Sequence, residues 1–459
     1  MSKALVIVES PAKAKTIAGY LGAGFVVDSS IGHIRELVTK PSDLPSEYQD
    51  KAWARFGINL DGNFEPFFIL KSDSKKQVAQ LKRSLKNADE LYLATDEDRE
   101  GERIAWDLLE VLQPKVPVKR MVFHEVTKEA ITEALRNARE IDEDLVAAQM
   151  ARQKLDKIVG FALSPLLWLK LSRGLSAGRV QSVATRLIVE RERERMAFTA
   201  ADYWGLTCNL AAESDGAFDA QVVSVDGRRV AESRHFDDEG NLTDSDLVVI
   251  DKASAELLRQ SLNGQTAEVT AAESKPFRRK PPPPFTTSTF QQAAGNRLKL
   301  SPARAMAAAQ ALYQQGFITY MRTDSTTLSD TAVRAARNEV VDRFGREFLP
   351  AEARSYVNKV RNAQEAHEAI RPAGDRFVDP NTVRKRVPPA QASVYKMIWR
   401  RTVASQMTDV AGETLRIELT SDIAAPGYEQ ANLAATGTTI HHAGFRKAYE
   451  NLELASDDQ

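Results

Sequence analysis

Short apolar runs that stop abruptly at polar, helix-forming segments constrain this fold more than any other feature of the chain. Residues 4–9 read ALVIVE and residues 90–94 read ELYLA. A near-continuous apolar run suits a strand buried on both faces, and such strands belong to parallel sheets covered by helices. Ser10-Pro11 opens a helical stretch over residues 12–21, with Pro in the first turn, where its missing N–H does no harm. Residues 102–112 read as a helix, 119–123 as a third strand, and 127–139 as a helix opened by Thr127. Strands alternating with helices predict a parallel, Rossmann-like α/β domain. The polar, Trp- and Pro-containing residues 39–66 break that alternation and read as an excursion.

Beyond it, residues 145–196 are mainly helical, punctuated at Ser164-Pro165 and around 174–178. Strand-like alternation dominates residues 202–270. Pro281 to Pro284 form a stiff run suited to a hinge or domain entry, residues 285–401 are largely helical, and residues 412–444 return to strand character that completes the sheet begun near Asp202. A length of 459 residues predicts about three domains.

Composition excludes several classes. With 43% hydrophobic and 27% charged residues the chain is globular. A single cysteine, Cys208, excludes a disulfide framework and a thiolate zinc site. No apolar run nears the roughly 18 residues of a membrane span, so a soluble cytoplasmic protein is expected. The net charge of −1 hides segregation: residues 275–322 carry eight basic residues and no acid, residues 151–200 carry net +6, and residues 211–251 net −8. Either each run is a solvated face, or basic surfaces bind a polyanion while acidic ones face elsewhere.

Residues 94–102 read ATDEDREGE, directly after an apolar strand. In extended backbone Asp96, Asp98 and Glu100 would share one face, at the strand end where α/β sheets place ligands. Glu9 lies at the end of its own strand; if the two strands are neighbours, four carboxylates converge and require a cation. Oxygen donors without His or Cys suit Mg²⁺. The alternative is a solvated turn countered by Arg99 and Arg103. There is no GxxxxGK[ST] or GxGxxG loop, so nothing announces a nucleotide. Phosphate chemistry without one suggests that bond energy is kept in a covalent intermediate. Residues 316–325 read GFITYMRTDS and place Tyr320 two residues before Arg322, a cation able to ease phenolate formation and grip a phosphate. The alternative is a tyrosine packed at a helix–strand junction.

The motifs VIVESPAKAKTI (6–17), ATDEDREGE (94–102), LSAGRVQSVA (175–184), GFITYMRTDS (316–325) and EAHEAIRP (365–372) together resemble the type IA DNA topoisomerases, on the bacterial topoisomerase I branch. The resemblance implies a multidomain α/β plus α fold: a Rossmann-like Toprim domain followed by the helical and β-arch domains of a toroid whose hole admits a duplex. It implies a Toprim domain at residues 1–38 and 67–144, a helical single-strand-binding domain at 39–66 and 145–201, a β-rich arch at 202–280 and 402–459, and a helical domain at 281–401 carrying the nucleophile.

It also implies ATP-independent cleavage, passage and religation of one strand of negatively supercoiled DNA through a 5′-phosphotyrosine on Tyr320. Arg322 and Lys13 would assist at the scissile phosphate, Lys13 by protonating the leaving oxygen. Glu9 would belong to both the catalytic and the metal set, with Asp96, Asp98 and Glu100 completing the Mg²⁺ ligands. His367 would act near the active site, with a buried core role as its alternative. DNA contacts would come from His33, Arg152, Gln153, Asp156, Phe161, Trp168, Arg322 and the loop Ser176, Ala177, Gly178, Arg179, Val180 and Gln181. Arg152, Gln153 and Asp156 lie within one helical turn, whereas Trp168 in ALSPLLWLKL could equally serve a core. A monomeric, nucleoid-associated protein free of membrane and nucleotide cofactor is expected. The family segment Gly-Ile-Gly-Arg-Pro-Ser-Thr does not occur in the sequence, so the strand-binding and arch domains are expected to be incomplete. A catalytically weak single-strand-binding fragment is one competing reading; a Toprim-type nuclease with water as nucleophile and a structural Tyr320 is another, disfavoured by Tyr320 and Arg322 within GFITYMRTDS.

Overall fold

The computed structural model describes residues 3–212, 216–356 and 368–450. Its elements form two compact units: Met1–Gln181, Pro281–Thr408 and Phe445–Gln459 make one, and Ser182–Lys280 with Asp409–Gly444 the other.

The first unit starts with β1 (Ala4–Val8), α1 (Pro11–Leu21) and β2 (Phe25–Ser29), then β3 (Arg35–Leu37), β4 (Ile58–Asn59), β5 (Glu65–Pro66) and β6 (Phe68–Leu70). There follow α2 (Lys75–Leu85), β7 (Glu90–Leu93), α3 (Arg99–Leu112), β8 (Val118–Arg120), α4 (Lys128–Arg136) and α5 (Glu143–Lys170). The expected parallel sheet is present in the order β2-β1-β7-β8, and β1 and β7 are direct parallel neighbours. Its apolar strand residues Leu5, Ile7, Leu91 and Leu93 are fully buried and pack with Val78 and Leu81 of α2 and Ile104 and Leu108 of α3. Each such side chain contributes about 1.5–3 kcal/mol by leaving water.

The excursion has its own small core of Leu37, Val38, Leu44, Trp53, Phe56 and Ile58. Helix α5 corrects one expectation. Ser164-Pro165 does not interrupt it; Pro165 lies inside a 28-residue helix. Proline removes one ladder bond, which a helix of that length absorbs, and the Ser164 hydroxyl accepts a hydrogen bond from the Ala177 N–H.

Helix α6 (Arg179–Ala197) leads into the second unit, with β9 (Thr207–Ala212), β10 (Gly216–Val225), β11 (Arg228–Arg229), α7 (Lys252–Leu262) and β12 (Glu268–Arg279). The alternation read over residues 202–270 conceals α7, which Asp251 caps by accepting from the Ser254 N–H. The first unit resumes with α8 (Thr287–Leu298), α9 (Pro302–Gln314), α10 (Asp330–Phe344), α11 (Pro380–Arg384) and α12 (Pro389–Ser405). Long strands β13 (Val410–Ala425) and β14 (Tyr428–His442) then enter the second unit's antiparallel sheet, in the order β11-β10-β14-β13-β12. Strand character in residues 202–270 and 412–444 therefore does belong to one sheet.

Candidate active site

Because β1 and β7 run side by side in register, Ile7 opposite Leu93, their C-terminal ends deliver Glu9 and the segment after Leu93 to one place. That segment is not the extended run the alternation suggested. Strand β7 ends at Leu93, and Asp98 is the N-cap of α3, its Oδ1 accepting from the Gly101 N–H at 2.7 Å. An N-cap carboxylate satisfies an orphan helix donor and sits at the positive end of the helix dipole, so capping outweighs extension here. Gly101 is obligatory: a Cβ there would lie 2.1 Å from the Asp96 carbonyl oxygen. Glu100, one step into the helix, faces His33 Nε2 at 3.4 Å and accepts from Gln149 of α5 at 3.1 Å.

Glu9, Asp96, Asp98 and Glu100 line one cleft of about 870 Å³ with His33, Arg99, Arg152, Gln310, Tyr320 and Arg322. Lys13 stands behind it, fully buried, with Nζ 3.1 Å from Glu9 and 2.8 Å from Asp96. Burial opposes its charge, but Asp96 and Glu9 outweigh burial and hold the ammonium above its ordinary pKa. Burial pushes the Glu9 carboxyl up to about 7, against the pull of Lys13. Asp96 experiences the same burial, yet Lys13 and the Tyr313 hydroxyl, 3.0 Å away, keep it below the usual carboxylate range.

Among the described residues no three His, Cys, Asp or Glu are set as a ready metal site, and Lys13 is the cation that Glu9 and Asp96 hold. The donor set still fits a hard divalent ion: its oxygens are all carboxylate and converge on one cleft.

Tyr320 follows the buried Ile318-Thr319 segment, and its N–H donates to the His124 carbonyl. Its hydroxyl donates a short hydrogen bond to Asp98 Oδ2. The expectation that nearby bases ease ionisation is reversed in this state. Burial first, then Asp96 and Asp98, hold the phenol well above its ordinary pKa, and the opposing pull of Arg322 is smaller. The basic stretch is basic along the sequence, but the tertiary structure surrounds the hydroxyl with acids.

The residues assigned to DNA are placed unevenly. His33 and Arg152 line the cleft. His33 is pushed up to about 9 by Asp107 and Glu100, which makes it a cation at neutral pH. Asp156 pairs with Arg179 at 2.8 and 3.1 Å, and Arg179 first, with Arg152 adding to it, holds its carboxyl below the usual range. Gln153 is half-buried on the same helix. Phe161 is exposed, with Lys157 Nζ 4.0 Å from its ring centre. Trp168 is 48% exposed and donates to the Leu175 carbonyl. In the loop, Ser176 accepts from Gln181, Ala177 donates to Ser164, Gly178 packs beside Gln181, and Val180 is exposed. His367 lies outside the described residues.

Sequence reading missed Tyr313, Gln310, Gln149, Glu102 and Arg120. Glu102 stood in view as the last letter of ATDEDREGE. Arg120 had no signal, because an arginine in a strand-like run ordinarily points to solvent.

With that geometry in view, comparison with known proteins places the chain. A model described as DNA topoisomerase matches residues 140–459, and a Toprim domain model matches residues 4–126. The chain belongs to the DNA topoisomerase family, and its first domain is a Toprim domain, a metal-binding class of fold. It is 52% identical to DNA topoisomerase 1 of Mycolicibacterium smegmatis, over 99% of this chain and 50% of that protein, and 50% identical to that of Streptomyces coelicolor, over 99% and 48%. The structure of full-length topoisomerase I from Thermotoga maritima superposes with a TM-score of 0.75 at 33% identity, covering 98% of this chain and 68% of that one. The fold is thus that of a type IA topoisomerase I, and the chain spans about half the length of the curated relatives it matches. No helix among the described residues is long and apolar enough to cross a membrane.

Proposed function

We propose that this chain carries the chemistry of a type IA DNA topoisomerase, cutting and rejoining one DNA strand without ATP and so relaxing negatively supercoiled DNA. The observation that supports this most directly is the Tyr320 hydroxyl bonded to Asp98 in a cleft that also holds Glu9, Asp96 and Arg322. Tyr320 Oη attacks the phosphorus and its proton passes to Asp98; the bond from phosphorus to the 3′ oxygen breaks, leaving a 5′-phosphotyrosine that stores the energy for rejoining. Arg322, exposed at the cleft, stabilises the phosphate charge. Glu9 lines the cleft and contributes its carboxylate beside Asp96 and Asp98. Lys13, kept charged by Asp96 and Glu9 at 2.8 and 3.1 Å, orients both carboxylates and is the proton source for the leaving 3′ oxygen.

Glu9, Asp96, Asp98 and Glu100 would hold Mg²⁺, which when bound would balance their charge and that of the phosphate. His33, Arg152, Gln153, Asp156, Phe161, Trp168 and Ser176 to Gln181 bind the single-stranded segment through phosphate contacts and stacking. The protein works as a monomer on bacterial chromosomal DNA in the cytoplasm, without a nucleotide cofactor, and the four-domain division by residue given above is retained. Plasmid relaxation with Mg²⁺ and no ATP, alongside adduct formation on a single-stranded oligonucleotide, tests the reading. The absence of any adduct would sink it.

A second reading is favoured by one observation: Leu163, Leu166, Leu169 and Leu171 of and after α5 are exposed. An uncovered apolar face of this kind fits a strand-binding groove that is incomplete in these residues, and with it weak relaxation by residues 1–459 alone. Comparing this chain with one extended by the C-terminal half of a mycobacterial relative separates the two; equal relaxation rates discard the second reading.

A further inference from the structure

Arg120 is fully buried at the end of β8, and its guanidinium is committed mostly to main chain. Nε donates to Glu102 Oε2 at 2.9 Å. Nη1 donates to the carbonyls of Leu93, Thr95 and Met121 at 3.1, 2.9 and 2.5 Å, and Nη2 to the carbonyl of Asp96 at 2.8 Å. Three of those carbonyls belong to the segment that leaves β7 and carries Asp96 and Asp98. Buried carbonyls need donors; the Leu93 carbonyl also accepts from the Met121 N–H at 2.9 Å, whereas Thr95 and Asp96 lie beyond the end of β7. Glu102, itself buried, also accepts from Arg139 at 2.9 Å and from the N–H of Asp142, the N-cap of α5, at 2.7 Å. One arginine and one glutamate thereby tie the acid segment to α3, β8 and the start of α5.

We infer that Arg120 is a positioning residue for the metal-binding carboxylates: its planar fork sets the main chain at residues 93–96, and Glu102 sets the fork. The inference rests on the metal reading given above. A purely structural ion pair would need the charges alone. This one needs the geometry, because a lysine keeps the charge but cannot spread donors over Thr95 and Asp96 together. Misplacement by about 1 Å costs on the order of 100-fold in function, so metal affinity in the folded variant should fall beyond what its loss of stability accounts for.

The test is Mg²⁺ calorimetry on the metal-free chain, with melting temperature and single-strand affinity measured in parallel. Arg120→Lys should weaken Mg²⁺ binding at least tenfold while single-strand affinity stays within twofold. Glu102→Asp, which draws the fork back by one methylene, should weaken Mg²⁺ binding at least threefold. Glu102→Gln keeps the length and an acceptor for Nε but turns its amide N–H₂ toward Arg139 and the Asp142 N–H, so it should weaken Mg²⁺ binding by less than Glu102→Asp does. Unchanged Mg²⁺ affinity in a folded Arg120→Lys overturns the inference. If that variant does not fold, equal affinities for Glu102→Asp and Glu102→Gln overturn it instead. A wild-type chain that binds no Mg²⁺ removes the metal reading and this inference together, whereas variants indistinguishable from a metal-binding wild type remove only the inference.

Discussion

The acid cleft and the outer part of helix α5 share one unit of the chain but hold their functional residues in opposite ways. Around the cleft, Lys13, Glu102, Arg120 and Tyr313 are at most 1% exposed, and each is fixed by hydrogen bonds to other elements. Along α5, Val146 and Gln149 are buried near its start, but Leu155, Phe161, Leu166, Trp168 and Leu169 face outward, Leu169 at 79%. The cleft must keep oxygens and a phenol in place to fractions of an ångström, so it is built from buried, over-determined contacts. A surface that grips a flexible strand needs exposed charge and flat rings, and it tolerates local looseness.

That contrast can be broken most severely at the nucleophile. Tyr320→Phe should abolish the covalent adduct while single-strand binding persists, as read on denaturing gels of a labelled oligonucleotide beside a binding titration; an adduct formed by the Phe variant removes Tyr320 from its role. Next in size, Asp96→Ala combined with Asp98→Ala should reduce Mg²⁺-dependent relaxation by at least about 100-fold, with the fold kept because Glu9 still pairs with Lys13. Relaxation at the original rate would reduce the cluster to a capping turn.

Stability gives a sharper measure. Leu108→Ala, in the core beneath the acid segment, should cost about 2–5 kcal/mol, whereas Leu169→Ala should change stability by less than about 0.5 kcal/mol. Denaturant midpoints read both, and a Leu169 cost equal to that of Leu108 would mean that α5 is covered in solution. The smallest effect is expected at Arg152. Arg152→Gln should lower the slope of log affinity against log salt for single strands by about 0.7; an unchanged slope would place Arg152 off the phosphate path.

Much of the cleft was legible because its chemistry is local in sequence. The apolar run ALVIVE needed no partner to declare a doubly buried strand, and ATDEDREGE directly after a second such run placed its acids at a strand end. The adjacency of β1 and β7, stated only as a condition, was a pairing that no single strand encodes. Helix α7 was hidden because 11 residues between strands give few turns over which a 3.6-residue period can show. Pro165 misled because proline usually breaks a helix, yet α5 continues through it.

What the sequence determined by itself, then, is which residues the protein has available: carboxylates without thiols, a tyrosine two residues from an arginine, and basic stretches segregated from acidic ones. Its local patterns also determined that a parallel sheet would carry the first acids. The tertiary structure alone decided the electrostatics. It buried Lys13 between Glu9 and Asp96, turned Asp98 into a helix cap, and set the Tyr320 hydroxyl against that cap. It also folded Arg120, silent in the sequence, onto the carbonyls of the acid segment. The reason is physical: the preference for a strand or a cap acts over a few residues, whereas the energy of a charge depends on burial and on neighbours brought from more than 200 positions away, and those exist only once the chain has folded.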